Sequence, residues 1–368
     1  MDAIRRELLM QRWNLVQHEL LPELKFETTL TPKLEHLIHI LEWVRVEDFT
    51  HASQCGVGRP RFERGWLANA FVAKAVLRLP TTAALIERLT IDRSLRRICG
   101  FPLNRKLPSE ATFSRAFDEF AQAKLAERVH EALIKEHLSD ELIGHLSRDG
   151  TAIEVRERPS RAKGKETDKK PAKKRGRPRR GEAREGTGKS RIKRQRQLTL
   201  TEMLAEIPKA CDRGAKSNAK GYKTSWNGYK LHIDTADCGV PIAALLSSAS
   251  MHDSVAAIPL SLISTERVTN LYDLMDAGYC SLELHEHSRS LGHVPLIDHN
   301  PRGGEKETFE PADAVRYQER TVAERVNARL KDEFGGRNAM VRGSTKVMSH
   351  LMFGILALSA DQLIRVLH

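Results

Sequence analysis

Apolar residues change their spacing near residue 141, and that change limits the folds open to the chain. Up to about residue 140, apolar side chains recur three and four apart in "TPKLEHLIHILEWV", "ERGWLANAFVAKAVLRL", "TTAALIERLTIDRSLRRIC" and "SEATFSRAFDEFAQAKLAERVHEALIKEHL". This is the repeat that lines one face of a helix. Thr81 after Pro80 and Ser109 after Pro108 stand where a helix start needs a side-chain acceptor, and Gly100 stands where a helix ends. A sharp helix-turn-helix signature is missing, so this part reads equally well as a supporting bundle. From 141 on the pattern alternates. "LIGHLSRDGTAIEV" reads as a strand bent at Gly150, and "GYKLHIDTAD" and "VPIAALLSSAS" read as a hairpin joined at "DCGV". "DSVAAIPLSLIS" is helical with Asp253 as its cap, "TNLYDLMDAG" a strand, "SLELHEHSRSLG" a helix and "HVPLID" a strand. "PADAVRYQERTVAERVNARLKDEFG" reads as one helix. The predicted class is α/β: a mixed sheet with flanking helices over 141–368, preceded by an all-helical amino-terminal domain over 1–140.

Charge is concentrated in one segment. The formal net charge is +12, and residues 156–197 hold 19 Lys or Arg against 5 Asp or Glu, which leaves the rest of the chain slightly acidic. A stretch with so few large apolar side chains cannot bury enough surface to offset chain entropy, so 156–197 reads as a disordered basic insertion with a polyanionic partner. "TLTEMLAEIPKA" after it reads as a short helix. The five cysteines are scattered and never form a C-x-x-C pair, so neither a disulfide framework nor a zinc site is indicated, which suits a reducing cytoplasm. "MDAIRRELLMQRW" has no signal-peptide apolar core, and the run near "VMSHLMFGILALSA" reads as a buried helix, too short and interrupted to span a bilayer.

Chemistry points to three carboxylates and one stripe. Asp149 falls on the first strand, Asp276 at the end of a later strand and Glu324 on the closing helix. Carboxylates on apolar strands are costly to bury without a cation. Oxygen-only ligands suit Mg²⁺ or Mn²⁺, and two such ions clamp both oxygens of an in-line displacement. Tyr317, Arg320, Glu324 and Lys331 return to within roughly 60° of one another on a helix, beside the apolar arc of Val322, Ala323, Val326, Leu330 and Phe334. Taken alone, that stripe reads as a solvated face with a helical ion pair.

"SRDGTAIE", "DAGY" and the spacing Y-x2-R-x3-E-x6-K together resemble the DDE transposases of bacterial insertion sequences, in the group related to insertion sequence four. Residues from about 30 to 135 resemble the amino-terminal domain that often precedes this core. The resemblance implies an RNase H-like fold in which Asp149, Asp276 and Glu324 are catalytic and hold two Mg²⁺ ions, with Mn²⁺ as a substitute. It also implies cleavage at transposon ends, followed by attack of the 3′ hydroxyl on target DNA. Arg320, Lys331 and Tyr317 would then contact DNA, the protein would act as a homodimer on DNA, and it would work at the nucleoid in the bacterial cytoplasm. The alternative class is a non-catalytic DNA-binding protein derived from a transposase.

Several other residues have two readings. Asp273 is the rival ligand to Asp276, but it alternates with Leu271 and Leu274 inside its strand. Asp234 and Asp237 read as turn residues, and His252 as structural. Arg175 and Arg177 in "KKRGRPRR" resemble the core of an AT-hook, which lies in a narrow minor groove; general phosphate binding is the simpler reading. Lys220, Lys223, Trp226, Tyr229 and Lys230 interleave cations with aromatics, which suits either a nucleic-acid surface or a hairpin edge with a core tryptophan.

Overall fold

The computed structural model describes residues 30–50, 61–159, 191–217, 221–301, 305–337 and 339–367. Among the described residues six α-helices come first: α1 (Pro32–Val44), α2 (Arg64–Val76), α3 (Thr82–Ile91), α4 (Arg93–Ile98), α5 (Glu110–Gln122) and α6 (Leu125–Leu138). Two stretches read as single helices are in fact pairs. Asp92 ends α3 and its carboxylate accepts from Leu95 N–H at 2.9 Å, so it caps α4. Lys124 adopts a left-handed φ of 49° and separates α5 from α6. Apolar spacing continues across both breaks and therefore hides them. Thr81 caps α3 by accepting from Ala84 N–H, whereas Ser109 makes no such bond and its hydroxyl meets Thr112 instead.

The sheet contains β1 (Leu142–Glu154), β2 (Asp212–Ser217), β3 (Lys223–Ala236), β4 (Pro241–Ser248), β5 (Thr269–Met275) and β6 (Val294–Ile297). Its order is β2-β3-β1-β5-β6, with β4 also on β3. The β1–β3, β2–β3 and β3–β4 pairs are antiparallel, while β1–β5 and β5–β6 are parallel, so the sheet is mixed as predicted. Between the strands run α7 (Arg191–Gln195), α8 (Leu200–Glu206), α9 (Ser254–Thr265) and α10 (Leu282–Ser290). After β6 come α11 (Pro311–Gln318), α12 (Thr321–Glu333) and α13 (Ser344–Leu367). The α/β class holds.

Part of the segment expected to be disordered, 156–197, is ordered, while its residues 160–190 lie outside the described residues. Arg191–Gln195 is helical, Gln195 is buried, and its side-chain N–H donates to Val255 O at 2.9 Å. Ile192 and Leu198 pack on an apolar cluster with Met275 and Tyr279, which anchors this end of the segment. Arg175 and Arg177 lie outside the described residues.

One continuous apolar core runs from α1 through α6, along β1, β3 and β4, into α12 and α13. At 24 residues α13 is long and apolar enough to cross a membrane, contrary to the length argument from sequence, but 78% of its most apolar window is buried inside the protein. It packs on α1, α2, α5 and α6 and on β4. Where α13 crosses α12, a Cβ on Gly354 would lie 2.7 Å from Phe334 O and 3.0 Å from Leu330 Cδ1. Only a bare backbone allows so close an approach.

Candidate active site

Strand register brings the two aspartates together. β1 and β5 run parallel and pair up to Arg148 opposite Met275, so Asp149, still within β1, and Asp276, just past the end of β5, come to the same level. The Asp276 carboxylate accepts from Gly278 N–H at 2.9 Å and holds the short turn Ala277–Tyr279. Burial lifts the Asp149 carboxyl to about 6, and the charge of Asp276 adds to the rise; the Gly150 N–H, Arg320 and Lys216 act against it. Two like charges, one of them largely buried, raise the cost of ionising both.

Alternation sends adjacent residues of β1 to opposite faces. Arg148 points toward α9, where Nε and Nη2 each meet the Asp234 carboxylate at 2.7 Å and Ser264 Oγ donates to the same carboxylate. Burial opposes the Arg148 charge, but Asp234 more than offsets it and the guanidinium pKa rises. Asp234 is fully buried in β3, not a turn residue, because β3 continues to Ala236. Asp237 does lie in the turn, where it accepts from Gly144 N–H. Asp149 points the other way, toward α12.

The predicted single helix is two. α11 ends at Gln318, α12 begins at Thr321, and Arg320 sits at the joint. Asn327 Nδ2 donates to Asp149 Oδ2 at 2.9 Å, and Lys331 Nζ donates to Thr151 Oγ1 at 2.6 Å. Glu324, Asn327 and Lys331 share a helical stripe by their three and four spacing, and this stripe lies along β1. Burial lowers the Lys331 pKa. Asn327 carries no charge and matched no motif; its place three after Glu324 and four before Lys331 was the available signal.

Glu324 stands apart from the aspartate pair. Its carboxylate is 54% exposed and bonds Arg320 Nη2 at 2.7 Å. Among the described residues, no group of three or more His, Cys, Asp or Glu side chains stands ready to hold a metal. Arg320 lies between Glu324, Tyr317 and Asp149 and acts as a counter-ion to the site. The half-buried Tyr317 ring packs 4.8 Å from that of Phe309, and burial raises its hydroxyl to about 12.

The other candidates fall elsewhere. Asp273 is buried and accepts from Ser288, from Asn270 at 3.2 Å and from His293. Asp253 makes no cap bond; its carboxylate meets Lys230 Nζ at 3.0 Å, and Lys230 also donates to Met251 O. His252 Nδ1 bonds Ser254 Oγ beside it. Trp226 is only 8% exposed and donates to Tyr229 O at 3.1 Å, so in this fold its ring is a core group and not a platform for bases. Lys223 is exposed, and Lys220 lies outside the described residues. The four described cysteines, Cys99, Cys211, Cys238 and Cys280, are free.

Residues 144–360 match the family described as Transposase DDE domain, and residues 22–119 match a Transposase domain (DUF772). No curated protein matches the chain. The first match contains Asp149, Asp276 and Glu324, and proteins with this domain act on DNA and generally use divalent metals. Because that match covers more than half of its length, the chain belongs to the DDE transposase family.

Proposed function

We propose that this chain is an active transposase of the group related to insertion sequence four, with an RNase H-like core that cuts and joins DNA at insertion-sequence ends. The observation that carries this reading is the parallel β1–β5 register, which sets Asp149 beside Asp276, with Asn327 of α12 bonded to Asp149. Asp149, Asp276 and Glu324 would hold two Mg²⁺ ions, or Mn²⁺ in their place, which supply charge neutralisation and a deprotonated oxygen nucleophile. Asn327 and the Gly150 N–H orient the Asp149 carboxylate. Arg320 leaves Glu324 and grips a phosphate oxygen, which frees the glutamate to complete the acidic set. Lys331, fixed on Thr151, adds positive charge next to the reacting phosphate. Phosphoryl transfer asks little more of a protein than such positioning. The helical part would bind the element ends, Tyr317 and Lys223 would contact the strand, two copies would pair on DNA, and the protein would work at the bacterial nucleoid.

The ion pair that keeps Glu324 from the aspartates favours one other reading, a DNA-binding derivative without catalysis. Excision of a marker flanked by the native ends separates the two. Wild-type excision that is lost in Glu324→Gln supports the transposase, whereas bound ends with no excision by either protein support the derivative.

A further inference from the structure

β3 is longer than the sheet needs. It has 14 residues, yet residues 228–236 pair with β1 and 229–235 with β4. Among the described residues, 223–227 pair with β2 as a ladder, and one bond from Val155 N–H to Asn227 O marks the last contact with β1. The remainder is a two-stranded ribbon that leaves the end of the sheet.

Its joint is specifically built. Gly228 has a φ of +150°, and a Cβ there would fall 2.1 Å from Ile153 O, so no other residue lets the strands meet as the ribbon departs. Trp226 lies over Gly214, where a Cβ would fall 2.5 Å from the indole ring. Beyond this plug both faces are open: Ala215, Lys216, Lys223, Thr224 and Ser225 are all exposed. A lone two-stranded ribbon is marginal in water, and this one offers no apolar face for a protein core. What it offers is positive charge. Arg213, Lys216 and Lys223 project from it, and the sequence has no Asp or Glu from 213 to 233.

We propose that the β2–β3 ribbon is a clamp on the DNA backbone, in which Arg213, Lys216 and Lys223 each hold a phosphate. This rests on the transposase reading and adds an element that the acidic residues and the α12 stripe do not include. The test compares the full chain with Lys216→Ala, Lys216→Arg and Lys216→Ala/Lys223→Ala, with Arg289→Ala as an exposed control on α10. Affinity for a mixed-sequence duplex of roughly 40 base pairs is measured across salt concentrations. The expected result is a slope of log affinity on log salt that falls by about one for Lys216→Ala and about two for the double variant, while Lys216→Arg and the control match wild type. In cleavage of element ends, KM should rise and kcat hold. A wild-type slope and affinity for Lys216→Ala would overturn the clamp. Wild-type protein that binds with a steep slope but never cleaves would refute the transposase reading and leave the clamp to the salt slopes. Wild-type protein without salt-dependent affinity would refute both.

Discussion

Asp149 carries the electrostatic cost of the site. Its carboxyl is held at about 6 against an ordinary 3.8, so the folded chain keeps this proton longer than the unfolded chain. The resulting stability is full below about pH 4 and is lost as pH rises through about 6; the ionised form then costs roughly 3 kcal/mol. Asp149→Asn removes that cost and leaves an oxygen to accept from Asn327. At pH 8 without divalent ions its urea midpoint should lie higher than wild type, by up to about 2 kcal/mol in unfolding free energy. Mg²⁺ should stabilise wild type and not the variant, and excision should be absent. An unchanged midpoint would mean that Asp149 is better solvated than its surroundings imply. For Asn327→Ala, loss of the bond that orients Asp149 should reduce excision and Mn²⁺ affinity by about 10-fold or more, since supporting partners of metal ligands are typically worth that much. Asp149 and Asp276 stood out as candidates because carboxylates on apolar strands are conspicuous, and Glu324 because of its spacing from Tyr317, Arg320 and Lys331. Asn327 did not, since an uncharged amide in a charged stripe gives no signal, and Asp234 was misread because two aspartates near a Cys-Gly pair look like a turn.

Among elements, α12 decides the site, and two contacts with α13 fix where α12 lies. Gly354 gives the close crossing, so Gly354→Ala should push α12 off β1. A loss of about 1–3 kcal/mol in stability and a larger proportional loss of excision are expected, read by denaturation and by the excision assay. The second contact is ionic: Asp361 of α13 accepts from His36 of α1 at 2.7 Å and from Arg329 of α12. Burial opposes the Asp361 charge, but these partners overcome it and hold the carboxyl at about 2. Stability from this group is present above about pH 4 and is lost as pH falls through about 2. Asp361→Asn should therefore cost roughly 2 kcal/mol at pH 7, with the gap from wild type closing in acid. A gap that does not depend on pH would show lost packing rather than a lost charge. Helices and strands were placed well from spacing, but the breaks at Asp92, Lys124 and Arg320 were not. Each break is a local backbone choice that leaves the apolar period intact.

For the whole molecule, the continuous core predicts joint unfolding of the helical part and the sheet. Leu356 of α13 is fully buried, and Leu356→Ala should cost about 2–5 kcal/mol. Trp43 and Trp66 report on the helical part and Trp226 on the sheet; single-tryptophan versions should show one common midpoint before and after the substitution. Separate midpoints would mean two independent folding units. By itself the sequence determined the α/β class, the basic segment, the supply of carboxylates and the helical stripe, because these follow from the identities and spacing of near neighbours. Tertiary structure alone decided that Asp149 meets Asp276, that Trp226 is core and that α13 lies among the first helices. Those outcomes depend on strand register and on contacts between residues distant along the chain, which leave no period in the sequence.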